Sequence, residues 1–271
     1  MSGDTIFHRQ ALLVGERAMA AAKQTRAILF GIGGVGSWCA ESLVRSGIGS
    51  LTIVDSDLIC MTNINRQLPA TTATVGQVKT AVLAKRLRQI NPDCDVNAIP
   101  EVFHYTTAER FNLAGYNYVV DAIDSLSPKV DLITSTLDSG TQLVSSMGAS
   151  CKLDPTRIRI GTFWRVEGCP LASKLRKRLR KRGVKGDFPC VYSDEVRDPF
   201  LIGLGNSDTY DDRILPPGHP EIPAREPFSA KAQINGSAVH ITATFGFYLS
   251  WLLLRDLLLK NGGLPTERGR G

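Results

Sequence analysis

An open, doubly wound α/β sheet of Rossmann-like type, continued by a C-terminal extension, is the fold the sequence predicts. Three observations predict it. Short apolar runs alternate with helical periodicity through the first 150 residues, as the crossover units of a parallel sheet require. The first run leads into G-x-G-x-x-G (Gly31, Gly33, Gly36), which opens a helix. The second run ends in an acid, Asp55.

The elements follow in order. Residues 8–23 read as a helix ending before Thr25. Residues 27–30 form the first strand, the glycine turn follows, and a helix runs over 35–46. Residues 51–54 are the second strand. In 76–90, Val78, Val82, Leu83, Leu87 and Ile90 share one face, and Asn91-Pro92 stops that helix. Strands are expected at 96–99, 118–122 and 143–146, with a helix between the last two that ends at Leu137. The pattern changes after Ser150. Residues 157–161 suggest one more strand. Residues 171–182 form an amphipathic helix, with Leu171, Leu175 and Leu179 four apart and Gly183 as its stop. Residues 197–230 hold six prolines and three glycines and read as a long loop. Residues 238–259 read as an apolar C-terminal helix. The expected division is a nucleotide-binding domain over 1–150 and an extension for substrate and dimer contacts over 151–271.

Composition narrows the function classes. With 43% hydrophobic and 21% charged residues, the chain of 271 residues can bury a core. The formal net charge of +6 is concentrated: 174–185 (KLRKRLRKRGVK) contains eight basic residues and no acid. Without them the balance is slightly acidic. Such a stretch suits a phosphate backbone or an acidic membrane surface. The six cysteines include no CxxC pair, so zinc-finger and thioredoxin spacings are absent. The N-terminus MSGDTIFHRQ has no apolar run of a signal peptide. Reduced thiols and a cytoplasmic location are the expectation. Residues 232–254 carry no charge, but Gln233, Asn235, His240, Thr242, Thr244 and Ser250 favour a buried or interface helix over a membrane-associated one.

The nucleotide signal is specific because strand, turn, helix and acid occur together. Gly31, Gly33, Gly34 and Gly36 would let backbone approach phosphate, and Asp55 would accept hydrogen bonds from ribose. The fingerprint alone fits NAD. Asn63, Arg66, Lys79 and Asp124 argue instead for ATP. A nicotinamide cofactor needs no Arg and Lys at its phosphates, whereas a triphosphate attacked at its α-phosphorus gathers charge there. Asp124 could hold the Mg²⁺ that bridges such phosphates.

GIGGVGSWCAESLVRSGIGSLTIVDSD, TNINRQ, TVGQVK and DAIDS resemble the adenylating domain of the ThiF/MoeB/HesA proteins, bacterial relatives of ubiquitin-activating enzymes. The resemblance spans about residues 7–195. MGAS, LDPTRIRI, LRKRLRKRG and VYSDE are similar to one branch, the tRNA threonylcarbamoyladenosine dehydratases. It implies ATP-dependent cyclisation of the threonylcarbamoyl group on a tRNA adenosine, through carboxylate adenylation. It implies that Gly31 to Gly36 cradle phosphates and Asp55 binds ribose. Asn63 and Arg66 would contact the triphosphate, Lys79 would neutralise the α-phosphate, and Asp124 would hold Mg²⁺. Arg9, in FHRQALLVGE, matches an Arg that relatives send into a neighbouring subunit's ATP site, which implies a homodimer. The sequence departs from the branch at Thr162 and Cys169, where acids are expected.

Other readings stay open on the residues. One is an adenylyltransferase for a ubiquitin-like sulfur carrier; a cysteine-desulfurase-associated sulfur acceptor is a partner of that kind. The others are an NAD-dependent oxidoreductase and a non-catalytic tRNA-binding protein. Cys190, after the basic stretch, is the best-placed thiol for capturing an adenylate, against a plain reading as an apolar strand residue. Ring closure by a tethered nucleophile needs no thioester.

Overall fold

The computed structural model describes residues 5–196 and 236–264. The expected loop 197–230 lies wholly outside the described residues. Seven strands form one sheet: β1 (Arg26–Phe30), β2 (Ser50–Val54), β3 (Asp95–Ile99), β4 (Tyr118–Asp121), β5 (Gln142–Ser146), β6 (Ile158–Thr162) and β7 (Pro189–Ser193). Their order is β3-β2-β1-β4-β5-β7-β6. All neighbours are parallel except β6, which runs antiparallel to β7 at the edge.

Successive residues of β1 serve opposite faces, as the pleat demands. Ala27 and Leu29 join a core with α3 (Gly36–Arg45), α4 (Lys79–Ile90) and α7 (Val239–Lys260). Ile28 and Phe30 join a second core with α5 (Leu126–Ser139) and α6 (Pro170–Lys181). A central strand buried on both faces must be apolar throughout, and AILF is.

The expected helix over 8–23 is two: α1 (His8–Val14) and α2 (Glu16–Gln24), separated by Gly15 at φ +84°. The helix expected from 76 starts at Lys79. Val78 is held extended, bridged to Leu58. Strand β7 agrees with the plain reading of Cys190 as an apolar strand residue, although the sequence pattern set no bounds for it. Its apolar core is only Cys190 and Val191, too short for periodicity to reveal.

Helix α7 explains the uncharged segment. Ile241, Phe245, Leu249 and Leu253 are fully buried. It runs along the sheet against the strand direction. Thr242, near its start, lies beside the turn after β1. Near its end, Asp256 accepts a hydrogen bond from Tyr118 Oη at 2.6 Å, at the start of β4. Where α7 crosses α3, a Cβ on Gly246 would stand 2.6 Å from the Val35 carbonyl oxygen, so only glycine permits this spacing. By length and composition α7 could cross a membrane. Here its apolar residues largely build the core, as expected for a helix that is apolar nearly all round.

Candidate nucleotide site

Connections leave β1 and β4 in opposite lateral directions, so a crevice opens at the C-terminal ends of these adjacent strands. Gly31 follows β1 at φ +82°, and a Cβ there would lie 2.8 Å from the Ala122 carbonyl oxygen. A Cβ on Gly36 would lie 1.8 Å from the Gly31 carbonyl oxygen. The two glycines seat the start of α3 directly on the turn, where a helix N-terminus favours an anion. Between them, Gly33 lies beside Gln67, and Gly34 beside Thr242 and Arg66.

Asp55, just past β2, is drawn to this turn. Its Oδ2 accepts from Ile32 N–H at 2.8 Å and its Oδ1 from Asp57 N–H at 2.9 Å. Burial raises its pKa above the ordinary aspartate value, and the Lys79 charge and the two N–H groups oppose that shift. Lys79 opens α4 with its side chain only 5% exposed. Its Nζ lies 2.8 Å from Asp57 Oδ2, whose side chain is 60% exposed. The ammonium is therefore a nearly dry charge paired with a solvated one.

Asn63 closes a 3-10 turn (Met61–Asn63) and is buried; its Oδ1 accepts from Cys60 N–H at 3.1 Å. Three residues on, Arg66 Nη1 donates to Thr62 O and Asn65 Oδ1, each at 2.9 Å. The Trp38 ring N–H donates to Arg66 O at 3.1 Å. Burial lowers the Arg66 pKa, and Asp124 opposes the shift, so these two charges sense each other across the crevice. Asp124 is exposed, between β4 and α5.

The structure thus gathers Gly31, Gly33, Gly34, Gly36, Asp55, Asn63, Arg66, Lys79 and Asp124 around one crevice. Arg9 is not with them. It lines a groove of about 380 Å³ with Ala22, Ser46 and Leu257, by the N-terminal ends of the strands. Two neighbours escaped the sequence reading. Asp57, one tight turn after Asp55 in V-D-S-D, pairs Lys79. Gln67, in N-R-Q, is buried beside Gly33 with its Oε1 unpartnered.

No group of three or more His, Cys, Asp or Glu side chains among the described residues could cage a metal. Asp124 alone fits Mg²⁺ that arrives with a triphosphate, since that ion typically takes one or two carboxylates plus phosphate oxygens. Cys190 is fully buried in β7, and burial pushes its thiol up to about 12. It packs; a thiolate there would be rare.

The basic stretch divides in two. Ala172, Leu175 and Leu179 bury one face of α6. Three cations are tied down. Arg176 Nη1 donates to Val166 O at 2.7 Å, Arg182 Nη2 lies 2.6 Å from Asp131 Oδ1, and Arg180 stacks 5.4 Å over the Trp164 ring. Lys174, Lys177, Arg178 and Lys181 are exposed and, at helical spacing, share one side of α6. The helix begins beside Gly148, just past β5, where Cys169 Sγ and Leu171 Cβ approach.

Residues 7–181 match the ThiF family. The chain is 35% identical over 261 residues to the tRNA threonylcarbamoyladenosine dehydratase of Escherichia coli, with 94% of each chain covered. It is 38% identical over 248 residues to that of Haemophilus influenzae, covering 90% of this chain and 89% of the other. A solved structure of the E. coli tRNA N6-threonylcarbamoyladenosine dehydratase in complex with ATP superposes with a TM-score of 0.77 at 34% identity, covering 96% of both chains.

Proposed function

The chain belongs to the ThiF family, and we propose that it uses ATP to dehydrate N6-threonylcarbamoyladenosine in tRNA to a cyclic form. One observation carries the reading beyond the likeness to relatives. Two partly or fully buried cations, Arg66 and Lys79, stand by the glycine turn, where a dinucleotide redox cofactor has no use for them.

In the reaction, an oxygen of the threonine carboxylate attacks the α-phosphorus of ATP. The bond to the β-phosphate oxygen breaks and pyrophosphate leaves. A heteroatom of the carbamoyl group then attacks the activated carbonyl carbon, loses its proton and expels AMP. The net change in the nucleoside is loss of one water. The start of α3 and Gly31 to Gly36 receive phosphate oxygens. Asp55 holds the ribose hydroxyls, Asn63 and Arg66 orient the triphosphate, and Lys79 meets charge that grows on the α-phosphate. Bound at Asp124, Mg²⁺ would supply charge neutralisation on the phosphates. Residues 1–150 mainly serve the nucleotide and 151–271 mainly tRNA and dimer contacts, with α1 joining the dimer surface and Thr242 of α7 backing the glycine turn.

The free cations of α6 give tRNA a phosphate track that starts at the substrate side of the crevice. A homodimer accounts for two features. Arg9 lies at the far end of the strands from its own crevice, so it would serve a neighbour's. Leu13 of α1 and Trp251 of α7 line the same groove as Arg9 and expose apolar surface, as an interface would. A second copy covering this surface also suits a cytoplasmic protein better than a lipid contact does.

Mass spectrometry of tRNA nucleosides after incubation with the protein and ATP tests the main reading. Conversion with the mass loss of one water, and AMP released in step, is expected. Unchanged nucleoside with an active control enzyme in parallel overturns it.

A further inference from the structure

Beneath the crevice lies an ion pair that the reaction above does not use. Asp121, the last residue of β4, and Lys129, in α5, are both 0% exposed, with Nζ 2.6 Å from Oδ2. Ser145 Oγ, on the adjacent strand β5, donates to the same Oδ2 at 2.6 Å. The pair also grips the loop between them at one residue. Ile123 N–H donates to Asp121 Oδ1 at 3.1 Å, and Lys129 Nζ donates to Ile123 O at 3.0 Å. Both polar groups of Ile123 are therefore fixed from below. The next residue is Asp124, and the preceding Ala122 carbonyl is the one that abuts Gly31.

A buried ion pair is weak evidence of a stabilising role. Apolar or neutral residues of similar volume usually do as well or better, while removing one partner leaves a stranded charge. Its geometry here serves a different purpose. We propose that Lys129 and Asp121 are positioning residues that clamp residues 122–124, so that the Asp124 carboxylate meets Mg²⁺ and Arg66 at a fixed place. The pair does not touch nucleotide. It acts on the ion through Asp124, as outer-sphere partners act on metal ligands. The proposal rests on the assignment of Asp124 to Mg²⁺.

The test compares ATP affinity with and without Mg²⁺, measured calorimetrically on the full chain; the readout is the fold-gain that Mg²⁺ confers. Lys129→Met alone should lower the melting temperature, because Asp121 is left unpaired. The double variant Lys129→Met with Asp121→Asn removes both charges and should recover most of the melting temperature. Methionine cannot donate to Ile123 O, so the clamp stays open. The gain from Mg²⁺ should then fall about 10-fold or more, with AMP affinity unchanged. A double variant that folds and keeps the full gain overturns the clamp. Asp124→Asn runs alongside. If it loses the gain while the double variant does not, the clamp fails and the Mg²⁺ assignment stands. If Asp124→Asn also keeps the gain, the assignment fails and the proposal with it. Should the double variant not fold, Ser145→Ala withdraws one donor from Asp121. A gain reduced about two- to three-fold supports the clamp, as a milder case of the same outer-sphere effect, and an unchanged gain overturns it.

Discussion

The crevice and the outer face of α6 are both rich in cations but hold them in opposite ways. Lys79 is nearly dry and fixed 2.8 Å from Asp57. Lys174, Lys177, Arg178 and Lys181 stand in water on an exposed helix side. A charge held by packing can meet a transition state without reorganising. A solvated charge attracts polyanions over a distance, and salt screens it. On the proposed function, the difference separates a region suited to chemistry from one suited to gathering a polyanion.

The contrast can be broken most directly at Lys79. Lys79→Ala should cut turnover about 100- to 1,000-fold, the usual cost of losing one donor to developing charge. ATP affinity should change far less. Steady-state kinetics beside calorimetry check it, and near-normal turnover would make Lys79 an ordinary partner of Asp57. On α6, changing Lys174, Lys177, Arg178 and Lys181 to Gln should weaken tRNA binding and flatten its salt dependence. The log–log slope should drop by up to about 0.7–0.9 per lost phosphate contact, with ATP binding intact. Arg176 and Arg182 belong to the other class. Their replacement should lower the melting temperature more than tRNA affinity, because Val166 O and Asp131 lose their partners. Binding measured at several salt concentrations separates the two sets.

A smaller effect sharpens the electrostatics of the crevice. Asp55 is raised above the ordinary aspartate value by burial, so on acidification it takes up its proton earlier than an unfolded aspartate does. The ionised form that accepts ribose hydroxyls is present above that raised value and lost as pH falls through it. ATP affinity should therefore fall on the acid side by about 10-fold, the scale of a hydrogen bond to a charged group. The fall should vanish in Asp55→Asn. Calorimetric titration across that range is the check. The smallest effect is expected at Cys190. With its thiol pushed up to about 12 it stays protonated, so Cys190→Ala should keep turnover within about two-fold of the parent if its only role is packing. Loss of activity in a folded variant would point to a covalent route.

Much of this was legible because its signals are local. The G-x-G-x-x-G turn, the acid after β2 and the apolar runs of β1, β4 and β5 each declare themselves within a few residues. Asn63, Arg66, Lys79 and Asp124 suggested ATP only as an ordered set, and their individual roles required a resemblance, since a single Arg in a loop carries no pattern. What escaped depends on contacts distant in sequence. The partition of the basic helix is set by Asp131, Trp164 and Val166, none of which is in the helix. The role of Asp121 is invisible in D-A-I-D-S, where it looks like the end of a strand. Only the fold brings Ser145 and Lys129 to it. The bounds of β7 escaped because its two buried apolar residues gain meaning only beside β5 and β6.

The position of α7 also bears on how the molecule comes into being. Thr242 sits against Gly34, and Gly246 lets the helix lie almost backbone to backbone on α3. One wall of the phosphate turn thus comes from residues that leave the ribosome after all seven strands. Synthesis at roughly 5–20 residues per second gives the strands seconds in which to pair first. During that interval a nascent chain can own a sheet and a glycine turn while lacking the helix that backs them. Nucleotide capture would then be acquired only once α7 has followed the strands out of the ribosome.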